Sequence, residues 1–157
     1  MDEQKITILG LGNLLMGDEG AGIHVVRQLE EELSGENIQI VDGGTGGINL
    51  LEYFTQPDLL ILVDAALDSQ PPGTIVCREP CFSNDYPRTL VAHDFGLKDL
   101  LNAADLLDKR PNIVLFTISI EIPRKMQLEL SPEIQSAVKE TSHRIKDFVS
   151  SISIKTG

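Results

Sequence analysis

The sequence contains no tryptophan and only two cysteines, Cys77 and Cys81, in 157 residues. A zinc site built on these two thiols would need two further ligands close to them. We therefore expect both thiols to be unpaired, as is usual in a reducing compartment. Long apolar runs are missing as well, since the longest uninterrupted apolar run, residues 59–63, is far shorter than the ~18 residues of a membrane span. We expect no membrane insertion.

Positive charge is also scarce. The chain has 13 lysine and arginine residues against 24 acidic residues, which gives a formal net charge of −11. So few cations could neutralise few phosphates, which argues against nucleic acid or an anionic membrane surface as a partner. Cations, metal ions or basic peptides fit this charge better. The amino-terminal residues do not form a basic leader, so we expect a cytoplasmic protein.

The order of the apolar patterns predicts an α/β fold. Strand-like runs are expected at residues 5–11, 37–41, 59–63, 74–78 and 112–120. Helical spacing of apolar residues predicts helices at residues 18–34, 48–57, 97–104 and 131–152. Strands that alternate with helices form a parallel sheet with helices on both faces. We predict a single three-layer, doubly wound domain over residues 1–157, with a mostly parallel sheet of about five strands and the 74–78 strand antiparallel.

In a doubly wound sheet, ligands bind in the crevice beyond the carboxyl ends of the strands. Three candidate metal ligands fall there: Glu19 after the first strand, Asp64 at the tip of the third, and His93 in the loop before the third helix. Asp64 follows five apolar residues, and a lone buried carboxylate tends to stay protonated unless a cation stabilises it. Two carboxylates and one imidazole would suit zinc, nickel, iron or manganese and leave coordination positions open.

Each of these residues also has a plain structural interpretation. Asp18 and Glu19 stand where a helix begins, and acids there satisfy free N–H groups and complement the helix dipole. We expect Asp18 to cap the first helix. A loop histidine such as His93 is more often exposed to solvent than bound to a metal. Spacing alone therefore leaves the metal site open.

Gly10 and Gly12 follow the first strand and suggest a dinucleotide-binding loop, with Asp42 as the acid that would bind the ribose. The fingerprint fails because Leu15 occupies the place of its third glycine. The loop between Gly12 and the expected helix start is also too long for a pyrophosphate to rest on the helix N-terminus. We therefore expect no nucleotide cofactor.

Four motifs occur along the chain: GLGNLLMGDEGAG at residues 10–22, DGGTGG at 42–47, LVDA at 62–65 and HDFGL at 93–97. In order and spacing, they resemble the hydrogenase maturation endopeptidases. The resemblance spans most of the chain, and the first two motifs are its most specific part. It implies a parallel sheet between helices. It also implies an endopeptidase that removes a short C-terminal extension from the large-subunit precursor of a nickel–iron hydrogenase after nickel insertion.

The same resemblance implies roles for single residues. Glu19, Asp64 and His93 fall on the metal ligands of the family, and Asp42 falls on an aspartate proposed to be functional. An aspartic-type peptidase is implied, in which Asp42 or Asp64 acts as general base or the metal activates the carbonyl or a water. The divalent metal is expected to be nickel that the substrate carries, so that cleavage would report nickel insertion. A non-catalytic nickel chaperone or sensor on the same fold would share these ligands and is the alternative.

Overall fold

Apart from two consecutive strands in the middle of the chain, strands and helices alternate as the apolar patterns predict. The computed structural model describes residues 4–81, 83–92, 96–108, 110–123 and 125–156. The strands within these residues are β1 (Ile6–Gly10), β2 (Ile38–Asp42), β3 (Leu59–Ala66), β4 (Ile75–Arg78) and β5 (Asn112–Ser119). The α-helices are α1 (Ala21–Glu32), α2 (Leu97–Leu106) and α3 (Pro132–Thr156). Short 3-10 helices cover Gly17–Gly20, Ile48–Phe54 and Ser83–Asp85.

The strands form one sheet in the order β2-β1-β3-β5-β4. β1 pairs in parallel with both β2 and β3, and β3 pairs in parallel with β5. β4 lies at the edge and runs antiparallel to β5, as predicted. The chain goes from β1 to β2 on one side and reaches β3 on the other, so the strand order reverses between β1 and β3. A crevice is expected beyond the carboxyl ends of these two strands.

Helices cover both faces of the sheet. On one face α1 and α3 pack against alternate strand residues, and on the other α2 and the 3-10 helix Ile48–Phe54 pack against the intervening ones. The centre of β3 contributes Ile61 to the first core and Leu60 and Leu62 to the second, and all three are fully buried. A strand buried on both faces needs no polar alternation, which explains its continuous apolar run. These layers confirm the three-layer, doubly wound fold.

β3 extends further than the apolar run that predicts it. The run ends at Val63, whereas the strand continues to Ala66. Asp64 therefore lies inside the strand and not at its tip, paired in register with Thr117 of β5. Because β1 ends at Gly10, opposite Val63, Asp64 lies just past the end of β1. This places its carboxylate at the reversal of the strand order.

The last helix begins where the sequence predicts. Ser131 precedes it and Pro132 is its first residue, a position at which proline loses no hydrogen bond. The carbonyl oxygen of Ser131 accepts the N–H groups of Ile134 and Gln135 at 3.1 and 2.9 Å. α3 is 25 residues long. Even so, none of the described helices combines the length and the apolar character that a membrane span needs.

α1 lies very close to the sheet because glycines occupy the contact. A Cβ atom on Gly10 would lie 2.4 Å from the carbonyl oxygen of Gly22, and one on Gly22 would lie 2.3 Å from that of Val63. These are backbone atoms, which cannot rotate away as the end of a side chain can. A larger residue would therefore push α1 off the sheet and shift the loop that connects it to β1.

We expect the substitution Gly22→Ala to lower the free energy of unfolding by about 1–3 kcal/mol, the usual cost of overpacking. Equilibrium unfolding in urea measures it. Gly35→Ala is the matched control, because the nearest atoms to a Cβ there are the end of the Ile38 side chain at 3.1 Å and the Asn37 side chain at 3.3 Å. A Gly22→Ala protein as stable as the parent would contradict the packing constraint.

Candidate active site

Asp64 is an acid buried inside the protein at the crevice, with 1% of its surface exposed. Its Oδ1 accepts the N–H of Ala65 at 2.8 Å, and its Oδ2 accepts the N–H of Ala92 at 2.7 Å. Burial raises the pKa of Asp64 well above its ordinary value, the two backbone hydrogen bonds oppose this shift, and the negative charge of Glu19 adds to it. Asp64 therefore holds a proton more readily than a surface aspartate does.

Glu19 reaches the same crevice from the loop between β1 and α1. It is half-buried in the 3-10 helix Gly17–Gly20. Its N–H donates to the Met16 carbonyl oxygen at 3.2 Å, and its own carbonyl oxygen accepts the N–H of Asn13 at 3.3 Å. Because its charge helps to raise the pKa of Asp64, the two carboxylates lie within electrostatic reach of each other. A divalent cation bound by both would relieve their repulsion.

His93, the third predicted ligand, lies outside the described residues. In sequence it directly follows Ala92, whose N–H binds Asp64. In the part of the chain that the structure describes, no group of three histidine, cysteine or acidic side chains could hold a metal ion. The described donors, two carboxylates, suit a divalent cation but need a further ligand. The metal site of Glu19, Asp64 and His93 stays a prediction.

Asp42 ends β2 and belongs to the exposed part of the crevice. It is paired in register with Gly10, which in turn is paired with Val63, so β1 lies between Asp42 and the strand of Asp64. The two flanking strands are about 10 Å apart, twice the usual strand spacing. The Asp42 carboxylate accepts the N–H of Gly44 at 3.1 Å and lies 3.4 Å from the Arg27 guanidinium. It is thus accessible to water and apart from the buried Asp64.

The glycines of the first two motifs shape the backbone of this crevice. The N–H of Gly12 donates to the Gly44 carbonyl oxygen at 2.9 Å, and the N–H of Gly43 donates to the Gly10 carbonyl oxygen at 2.8 Å. Gly12 has φ +149°, and a Cβ atom there would lie 2.2 Å from the carbonyl oxygen of Glu19. Only glycine lets the loop fold back this closely on Glu19.

Asp18 does not do what the sequence predicts. Neither the 3-10 helix Gly17–Gly20 nor α1 has a side-chain cap hydrogen bond. The prediction that Asp18 caps the first helix is therefore wrong. Instead, the Asp18 carboxylate accepts the N–H of Ser131 at 2.9 Å and its hydroxyl at 2.8 Å. The two residues are 113 positions apart, and no local sequence signal could reveal this pairing. The same holds for the Ala92 N–H at Asp64, which sequence reasoning also missed.

A cavity of about 710 Å³ adjoins the carboxyl ends of β3 and β5. It is lined after β3 by Leu67 and residues 69–72, and after β5 by residues 120–122. Leu67 is three positions beyond Asp64 along the chain. A cavity of this volume has room for several side chains of a peptide.

The chain is similar to proteins that are named for the maturation or formation of hydrogenases. A family model described as hydrogenase maturation protease, HycI, matches residues 23–147. This range includes Asp42, Asp64 and His93, and it begins after Glu19. The hydrogenase expression/formation protein HupD of Thiocapsa roseopersicina is 35% identical over 119 residues, which cover 72% of this chain and 52% of HupD. The chain spans about half the length of the HupD relatives that it matches.

A second relative matches over nearly its full length. The hydrogenase 2 maturation protease of Escherichia coli is 27% identical over 144 residues, which cover 90% of this chain and 88% of that protein. Among solved structures, the hydrogenase maturating endopeptidase HybD from Escherichia coli has a TM-score of 0.76 and 27% identity, and the match covers 90% of this chain and 89% of HybD. The chain therefore belongs to the hydrogenase maturation protease family.

Proposed function

We propose that this chain is an endopeptidase that removes the C-terminal extension from the large-subunit precursor of a nickel–iron hydrogenase. Membership of the hydrogenase maturation protease family supports the reaction class. The observation that carries the proposal is the buried Asp64 carboxylate at the reversal of the strand order, with the charge of Glu19 acting on it. Two acids that destabilise each other's charge in a crevice are typical of a functional site.

The nickel that the precursor carries is, in this proposal, part of what the enzyme recognises. Glu19, Asp64 and His93 supply two oxygen ligands and one nitrogen ligand from this chain, and imidazole and carboxylate are ligands that nickel accepts. Three ligands leave positions that donors of the precursor can fill. A nickel-free precursor lacks these bonds and binds more weakly. Recognition of nickel thereby restricts cleavage to precursors in which nickel has been inserted.

Peptide hydrolysis needs a base that takes a proton from water and an acid that returns one to the leaving amine. Asp64 and Asp42 are the two aspartates at the crevice in our proposal. Asp64 cannot bind nickel through its carboxylate and hold a proton on it at the same time. While Asp64 binds nickel, Asp42 is therefore the carboxylate that takes the proton from water and then returns it to the leaving amine, which suits its exposed position. The cavity beyond the carboxyl ends of β3 and β5 offers room for the extension.

The first test compares nickel-loaded and nickel-free precursor. We expect the protein to shorten the nickel-loaded precursor and to leave the nickel-free precursor intact, and mass spectrometry of both reactions measures this. Precursor that has been stripped of nickel and then reloaded is the control for damage during removal. Equal cleavage of both forms would contradict nickel recognition but not the peptidase. Tight binding without any change of mass would favour the non-catalytic chaperone or sensor.

The second test compares two acids close together in the chain, Asp64 inside β3 and Asp58 just before it. We expect Asp64→Asn to lower kcat/KM for processing by more than about 100-fold, because a nickel ligand is lost and even the partners of a metal ligand contribute about 10–100-fold. Asp58→Asn, just before β3, is the matched control and should process normally, since Asn keeps an oxygen for the Lys5 N–H that Asp58 binds at 2.8 Å. Circular dichroism must show that both variants are folded. Normal processing by folded Asp64→Asn protein would remove Asp64 from the site.

The third test separates the Asp42 carboxylate from its ion pair. We expect Asp42→Asn to lower kcat with little effect on binding of the nickel-loaded precursor, because a general base acts on water and not on the bound metal. Arg27→Gln removes the ion pair and keeps the carboxylate, and exposed ion pairs contribute little to stability. Arg27→Gln should therefore behave like the parent. An unchanged kcat in Asp42→Asn would exclude Asp42 as the base.

A further inference from the structure

The loop between β1 and α1 carries Glu19, and its start is fixed to the sheet. The N–H of Leu11 donates to the Val63 carbonyl oxygen at 2.9 Å. The N–H of Gly12 donates to the Gly44 carbonyl oxygen, also at 2.9 Å. After Gly12, the backbone hydrogen bonds of Asn13 and Met16 join residues of the same loop. The loop next bonds to another segment at Leu15 and Gly17, which we call the outer side of the crevice. The position of Glu19 therefore depends on α1, which begins two residues later, and on what holds that outer side.

A second loop, between β5 and α3, provides this support. The carbonyl oxygen of Leu15 accepts the N–H of Gln127 at 2.9 Å, and the N–H of Gly17 donates to the Gln127 carbonyl oxygen at 2.7 Å. Met16 and Gln127 thus form a short parallel bridge. This bridge joins two loops to each other, and a rigid element must still anchor the pair.

Asp18 provides the anchor. Its Oδ1 accepts the N–H of Ser131 at 2.9 Å, and its Oδ2 accepts the Ser131 hydroxyl at 2.8 Å. Ser131 directly precedes α3. The side chains of Ile134 and Ile145 pack this helix against the core and are fully buried. A bidentate contact of this kind fixes both the distance and the orientation of the carboxylate. The loop is therefore bound to a packed helix as well as to its neighbour loop.

We propose that Asp18 is a positioning residue for Glu19. Neighbouring residues in a 3-10 helix point about 120° apart, since the helix has three residues per turn. Asp18 can thus bind the start of α3 while Glu19 is directed elsewhere, toward the crevice. The effect on processing rests on the proposed function, because it requires that Glu19 contacts the nickel of the precursor. The effect on the loop itself does not.

Three variants remove both, one or neither of the hydrogen bonds between Asp18 and Ser131. Asp18→Ala removes both hydrogen bonds and Ser131→Ala removes the hydroxyl bond alone. Asp18→Asn keeps both, because its amide oxygen accepts the Ser131 N–H and its amide N–H can donate to the Ser131 hydroxyl oxygen. We expect kcat/KM for the nickel-loaded precursor to fall by about 10–100-fold in Asp18→Ala, as when a supporting partner of a ligand is removed. Ser131→Ala should be intermediate, and Asp18→Asn should stay near the parent.

Amide hydrogen exchange tests the loop without substrate. The N–H groups of Gly17 and Glu19 are hydrogen-bonded within the loop region, so we expect them to exchange faster in Asp18→Ala while those of β3 keep their protection. Ile145→Ala is the control for lost stability. It opens the α3 core 14 residues from Ser131, which is about 21 Å along the helix. This control should lower Tm and leave processing intact at a temperature where it is folded.

The outcomes test separately whether Asp18 anchors the loop and whether it positions a functional Glu19. Unchanged exchange at Gly17 and Glu19 in Asp18→Ala would overturn the anchoring role. Faster exchange with parent-like processing would overturn the positioning of a functional Glu19. Equal losses of kcat/KM in Asp18→Ala and Ile145→Ala would show an effect of stability alone and would also overturn it. If the parent protein cleaves no precursor, the proposed function fails, and the exchange data still decide whether Asp18 anchors the loop.

Discussion

The burial of the Asp64 carboxylate is the constraint on which the crevice depends. Removing a carboxylate from water costs several kcal/mol even after the protein relaxes. Hydrogen bonds to a charged group return about 1.5–3 kcal/mol each, and Asp64 accepts two of them. With Glu19 adding repulsion, these bonds do not cancel the cost, so the pKa of Asp64 stays raised. A proton or a bound cation relieves the cost that remains.

Close packing around β1 gives this carboxylate its surroundings. Because Gly10 and Gly22 let α1 approach the sheet, the loop that precedes α1 passes directly over the end of β1. The same loop brings Glu19 toward Asp64, and Asp18 attaches it to α3. Elements from both ends of the chain thus determine the spacing of two acids.

The sequence predicts most of the fold, and it does so where burial is periodic. The continuous run at residues 59–63 predicts a strand covered on both faces, and β3 is such a strand. Its extension through Asp64 to Ala66 is not visible in the run, because pairing with Thr117 and its neighbours continues the strand past the last large apolar residue. The site is less predictable. Glu19, Asp42 and Asp64 all lie near carboxyl ends of strands, but β1 separates Asp42 from the strand of Asp64.

By itself, the sequence determined the order of the elements, the three-layer arrangement and the group of acids at one edge of the sheet. Periodicity is sufficient for this because it reports which face of a single element is buried. The tertiary structure decided that Asp64 is bound by the N–H of Ala92 and that Asp18 binds Ser131 and not its own helix. Such contacts join residues far apart in sequence. They depend on how packed elements meet, which no local pattern of residues records.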